Sequence, residues 1–230
     1  MFDVTLRDGT PAIVLPLRRE DRERLVEGFE ELSDEARRQR FLTPTAHLSE
    51  SMLNHLVDDV DFIDHVAFVL AVANPEDPQT FDPVAIGRMV RYEDVPEAAD
   101  VAVTVKDAHQ GRGIASALLE VLADQRPEGV TRVVTEVVAG NAASLAMLQR
   151  LGPTKVEANG YGAYDVEVEL WVAGAVAPEA DEAPAELPSA GIPLARPRSS
   201  EEHRRRPSID RRRQQALQAR DTVCPWLTPA

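Results

Sequence analysis

The sequence predicts a mixed α/β (α+β) domain, with a mostly antiparallel sheet flanked by helices, followed by a disordered C-terminal tail. Three observations carry this. Helix-period apolar patterns come first, between Glu20 and Leu56. Strand-like runs dominate from His65 onward, with a strand–helix–strand–helix series between Asp100 and Leu151. After Trp171 the chain changes to VAGAVAPEADEAPAELPSAGIPLARP, rich in Ala, Pro and Glu and without an apolar period.

Taken in order, Ala12–Leu17 reads as a short strand. Glu20–Leu32 puts Leu25, Val26, Phe29 and Leu32 on one helical face. Ser33-Asp34-Glu35 reads as a cap opening a second short helix toward Phe41. Ser49 starts a third helix, with Met52, Leu53 and Leu56 apolar. HVAFVLAVA, His65–Ala73, is a buried strand, and the Pro- and Asp-rich run from Asn74 is a turn region. Val84–Tyr92 and Asp100–Val105 are strands. Gln110-Gly111-Arg112-Gly113-Ile114-Ala115 then stands at the mouth of a helix. Arg132–Val138 is a strand and Asn141–Leu151 a helix. Val156 and Ala163–Trp171 close the domain as strands around a bend at Gly160–Gly162. No internal repeat is present.

This divides the chain into a domain at 1–174, a disordered linker at 175–199 and an Arg-rich tail at 200–230. Arginines cluster from Arg196 to Arg220, and Ser208 caps a possible short helix from Ile209 to Ala219. The whole chain carries a formal charge of −14, with 39 acids against 25 bases. Nucleic acid is therefore a poor partner, whereas a cationic amine is weakly attracted. With one cysteine, Cys224 near the end, an intramolecular disulfide is impossible and a buried Cys nucleophile is not expected. The N-terminal MFDVTLRDGT lacks a signal pattern, and no apolar run reaches the roughly 20 residues that span a bilayer. A soluble, cytoplasmic protein with no membrane partner is expected.

The glycine-rich turn raises the question of function. A helix N-terminus offers unpaired N–H groups and a partial positive charge, which suit phosphate. Gly111 and Gly113 let backbone approach a ligand, and Arg112 adds a charge. A Walker loop needs a Gly-Lys-Ser/Thr that is absent here. A dinucleotide fingerprint matches in part, with Ser116 at its third small position and Glu136 as a ribose-binding acid. That fold, however, repeats βαβ units rather than opening with helices.

Gln110-x-x-Gly113-x-Ala115, between a strand and a helix, resembles the pyrophosphate-binding motif of the GNAT superfamily of acyl-CoA-dependent N-acetyltransferases. Asn141-Ala-Ala-Ser144-Leu-Ala-Met147-Leu148-Gln-Arg150-Leu151-Gly152 resembles a later helix of that family, and LPLRREDRERLVEGFEELSDEARRQRF resembles the opening of its bacterial protein-lysine acetyltransferase type. The likeness spans about residues 12 to 171. It implies that Gln110, Gly111, Arg112, Gly113, Ile114 and Ala115 hold the pyrophosphate of acetyl-CoA. It also implies that Val103 and Val105 pair with the pantetheine amides, and that Asn141 and Ser144 line the other side.

Acetyl transfer requires a deprotonated amine (a lysine-like pKa is about 10.4), a polarised thioester carbonyl and a stabilised thiolate. In the lysine-acetyltransferase type a glutamate precedes the strand's apolar residues. The matching position is Asp100, one methylene shorter, which a bridging water offsets; Glu97 and Glu93 are alternatives. Many family members place a tyrosine where this chain has Leu148, and Tyr161 or Tyr164 on the closing hairpin could substitute or simply pack. Pro153 replaces the usual Phe. His47, His55, His65, His109 and His203 show no metal spacing, so no metal is expected; His65 belongs to the sheet and His109 to an exposed loop. The expected activity is acetyl transfer from acetyl-CoA to a primary amine, a protein lysine or a small molecule. A non-catalytic acyl-CoA-binding regulatory module and a dinucleotide-binding protein are the alternatives.

Overall fold

The computed structural model describes residues 1–34, 46–77, 80–160 and 162–171. The helix expected toward Phe41, Tyr161, the linker, and the tail with His203 and Cys224 lie outside the described residues. Elements follow in the order β1 (Phe2–Thr5), β2 (Pro11–Pro16), α1 (Arg22–Glu30), α2 (Glu50–Leu53), β3 (His65–Ala73), β4 (Phe81–Arg91), β5 (Ala98–Val105), α3 (Ile114–Asp124), β6 (Arg132–Val138), α4 (Ala142–Gln149), β7 (Thr154–Ala158) and β8 (Ala163–Glu169). A 3-10 turn, Arg19–Asp21, leads into α1, and α2 continues into a π-helical turn, Asn54–Asp58.

The strands form one sheet in the order β1-β2-β3-β4-β5-β6-β8-β7. Every pairing is antiparallel except that of β5 with β6. The expected mixed, mostly antiparallel sheet is what forms, with β1 as an additional edge strand. His65–Ala73 and Arg132–Val138 have the bounds read from the sequence.

Helices cover the sheet on both faces, so β3 is a continuous apolar run rather than an alternating one. On one face Val66, Phe68, Leu70, Met89, Val101 and Val103 pack with Ile114, Leu118 and Leu122 of α3 and Leu145 and Leu148 of α4. On the other, Leu25 and Phe29 of α1, four residues apart and so one above the other, pack with Leu53, Leu56, Ala67, Ile86 and Ala102. Ser49 caps α2, its hydroxyl accepting from Met52 N–H at 3.2 Å. Gly87 of β4 lets α3 sit close to the sheet: a Cβ there would meet Leu122 Cδ1 at 2.7 Å.

Candidate functional site: a cleft where the sheet divides

β5 and β6 pair only at Ala98 with Arg132 and Ala99 with Val133. Beyond Ala99, β4 continues along one side of β5 as far as Val105, while the described residues pair no strand with its other side. The hydrogen-bond phase follows from two contacts. Tyr92 N–H donates to Ala98 O at 3.0 Å and Lys106 N–H donates to Val84 O at 2.8 Å. Antiparallel bonding alternates, so Ala98, Asp100, Ala102 and Thr104 bond β4. Val101, Val103 and Val105 therefore turn their N–H and C=O groups into the cleft. Their side chains are buried against the α3 face, so what they offer there is main chain.

The glycine-rich turn lies at the open end. Gly111 and Gly113 have φ of +74° and +81°, a left-handed conformation that residues with a Cβ rarely adopt. Gly113 is the N-cap of α3 and the helix start has no side-chain cap. The first intrahelical bond is Ala117 N–H to Gly113 O, 3.0 Å, so the N–H groups ahead of it keep no helical acceptor. The Gln110 amide leans toward Val105 O at 3.5 Å.

Arg112 takes a different course from that expected of a phosphate ligand. Its Nε donates to Asp8 Oδ2 at 2.8 Å and its Nη2 to Thr10 Oγ1 at 2.8 Å. Hydrogen bonds from Thr10 first, and then from Arg112, bring the Asp8 carboxyl down to about 2. The guanidinium thus ties the β1–β2 turn to the glycine turn. Arg7 of the same hairpin lies over Gly113, within 3.1 Å of where a Cβ would stand. His109 Nδ1 is 3.3 Å from Arg112 Nη1; burial, then Arg112 and Lys106, hold this imidazole below its usual value.

Because β6 runs parallel to β5, α4 also begins at the open end. Asn141 Oδ1 caps it, accepting from Ser144 N–H at 3.1 Å, and Ser144 is buried. Leu148 is 1% exposed in the core, and Tyr164 packs against that same core from β8.

The closed end gathers side chains from distant parts of the chain. Asp100, 5% exposed, is the first residue past the last β5–β6 pair. Register places it opposite Val90, which lies opposite His65, and diagonal to Arg88, all on the α1–α2 face. Arg88 is 1% exposed; its Nη2 donates to Leu56 O at 3.2 Å and its Nη1 lies 3.4 Å from His65 Nε2. His55 stacks on His65 at 5.2 Å between centroids and meets Asp59 Oδ2 at 3.0 Å. Burial, then the charge of Arg88, push His65 down to about 3, so it is neutral near pH 7. Glu97 pairs with Arg132 at 3.0 Å on the N-terminal side of β5, and Glu93 is exposed in the turn after β4.

A mostly apolar cavity of about 370 Å³ lies between α1 and the sheet and touches β5 at Thr104. Its charged lining residues are Arg18, Asp21, Arg24 and Lys106, the last paired with Glu31 at 2.6 Å. Among the described residues no three metal-ligating side chains stand together. No helix among them is long and apolar enough to cross a membrane.

The sequence reading missed the hairpin residues Arg7, Asp8 and Thr10, the cleft-facing Val101, and Arg88 and Tyr92. Asp8-Gly9 between apolar runs is a hairpin signal that could have found the first group. Arg88 and Tyr92 have no local signal.

Residues 12–154 match the family model described as an acetyltransferase (GNAT) domain. An acetyltransferase of Pseudomonas aeruginosa is 32% identical over 149 residues, 64% of this chain and 77% of that protein. The acetyltransferase Pat of Mycolicibacterium smegmatis is 33% identical over 154 residues, 65% of this chain but 43% of that longer protein. The crystal structure of the GNAT domain of S. lividans PAT superposes with a TM-score of 0.63 at 34% identity, covering 74% of this chain and 96% of that domain.

Proposed function

Because the chain belongs to the GNAT acetyltransferase family, we propose that it transfers the acetyl group of acetyl-CoA to a primary amine such as a protein lysine. The observation that carries this reading is the open edge of β5. It has the uncapped glycine turn at one end and a buried carboxylate at the other. Acetyl-CoA lies along that edge, its pantetheine amides bonded to Val103 and Val105, with Val101 next in line. Its pyrophosphate rests on N–H groups from Gly111 to Ala115, with Gln110 alongside, while Arg112 contributes its main chain and holds the hairpin. Asn141 and Ser144 border the same end. An N–H of the edge polarises the thioester carbonyl, and Asp100, directly or through a water, takes the amine proton. The nitrogen bonds the carbonyl carbon, the C–S bond breaks, and CoA departs as the thiolate, which takes up a proton from water. The unit that does this is residues 1–174; 175–230 is an appendage.

An amine acceptor also fits the acidic side chains on the β6–β8–β7 face that flanks the cleft. Val133 and Val137 are buried in the core, so Glu136 lies on the opposite face of β6, in register with Asp165 of β8 and, through it, with Glu157 of β7. Glu167 lies on that face too. Arg132 and Lys155 offset part of this charge. A second reading, acyl-CoA binding without turnover, is favoured by one observation: Leu148 occupies the place of a possible proton donor and is buried.

The test is thiol release from acetyl-CoA with a panel of amines and lysine-bearing proteins, on the native chain and Asp100→Ala. Acceptor-dependent release that collapses in the variant is expected. Unchanged release removes Asp100 from the mechanism. CoA binding without release on any acceptor favours the second reading.

A further inference from the structure

Among the closed-end side chains that the transfer mechanism leaves unused, Tyr92 reaches across the cleft to the opposite strand. Tyr92 follows β4 directly and keeps its phase. Arg91 lies opposite Ala99, and Tyr92 N–H bonds Ala98 O, so Tyr92 shares the face of Arg88 and Asp100. From there its half-buried ring crosses β5, and its hydroxyl donates to Val134 O at 2.9 Å. Val134 is the first β6 residue beyond the last β5–β6 pair. The phenol therefore occupies a carbonyl of β6 at the point where the strands part, a position that parallel pairing would otherwise fill.

We infer that Tyr92 closes the acyl end of the cleft and limits the donor to short acyl groups. The inference rests on the acetyl-CoA reading above. With the nucleotide end at the Gly111–Ala115 turn, the acyl group must point toward the vertex. From Val105 back to Ala99 is six residues, about 20 Å of strand. Whatever extends past the thioester meets the ring of Tyr92, fixed by a hydrogen bond to the opposite strand. Nothing in the local sequence signals this, because the bond joins residues 42 apart in the chain.

The test is calorimetric titration of the full chain with CoA, acetyl-CoA and butyryl-CoA, for the native protein and for Tyr92→Ala and Tyr92→Leu. A methylene in or out of a fitted pocket is worth roughly tenfold or more. The native protein is expected to bind acetyl-CoA at least about tenfold more tightly than butyryl-CoA. Both variants are expected to shrink that ratio toward one while their affinity for unacylated CoA stays within about threefold, a change too small to reflect a lost methylene contact. Leucine retains apolar bulk, so it serves if the alanine variant does not fold. A ratio unchanged in a folded variant that binds CoA overturns the role of Tyr92 and leaves the acetyl-CoA reading intact. Native protein that binds no CoA at all overturns both.

Discussion

The two ends of the β5–β6 cleft are built in opposite ways. The open end is one run of chain, Gln110 to Ala115, whose offering is consecutive backbone N–H groups shaped by two left-handed glycines. The closed end is assembled from β3, β4, β5, β6 and the turn after α2, and its offering is side chains: Asp100, Arg88, His65, His55 and Tyr92. Holding a phosphate needs only main chain in a given conformation, so a short motif encodes it. Moving a proton needs side chains that converge at a point, which only strand register brings about.

If that division of labour is right, damage at the two ends separates into chemistry and binding. The largest effect is expected at the closed end. Asp100→Asn should lower kcat by roughly 100-fold or more while leaving the acetyl-CoA Kd within about twofold, because it removes a proton acceptor and not a binding contact. Steady-state rates beside calorimetry would show the split. A parallel rise in Kd would merge the two ends and break the comparison.

At the open end, Gly113→Ala should do the reverse. A Cβ in the left-handed region costs about 1–2 kcal/mol, and Arg7 must also move. The acetyl-CoA Kd should rise about tenfold, with kcat at saturation nearly unchanged.

The pH response sharpens the contrast, since the buried histidine belongs to the closed end. His65 is depressed in the folded protein to about 3 from an ordinary 6.5. The unfolded chain therefore takes up the proton first as pH falls. The stability that His65 contributes is complete above about 6.5 and is lost between there and about 3, at up to about 1.4 kcal/mol per pH unit. Urea unfolding at pH 7, 6 and 5 should show this slope, and His65→Phe should reduce it to the part that His55 and His109, also held below the usual imidazole range by burial, contribute.

The smallest effect is expected from Arg112→Ala. Its guanidinium is spent on Asp8 and Thr10 and is partly exposed, so the acetyl-CoA Kd should change by about threefold or less. A loss like that of Gly113→Ala would mean that Arg112 leaves the hairpin to meet phosphate.

The same contrast explains what was legible in the sequence. Strands such as His65–Ala73 and Arg132–Val138 announce themselves by continuous or alternating β-branched residues, and both helices after residue 110 follow glycine or asparagine starts. β1 escaped notice because four residues at a sheet edge, two half-buried and two exposed, bury too little to leave a pattern, although Asp8-Gly9 marked its hairpin. Arg88 reads as one more surface base until register shows Ala67 on one side of it and Ala102 on the other, both buried. Tyr92 looks like the end of a strand until its hydroxyl is seen on β6. Arg112 was expected to serve the ligand with its charge, and a hairpin one hundred residues upstream claims that charge instead.

The central claim is that acetyl-CoA completes the sheet along the open edge of β5, and backbone amide hydrogen exchange tests it most directly. Val101, Val103 and Val105 should exchange quickly in the free protein and slow markedly on adding acetyl-CoA. Ala102 and Thr104, already bonded to β4, should change little. Slowing confined to Gly111–Ala115, with the three valines unaffected, would contradict the account.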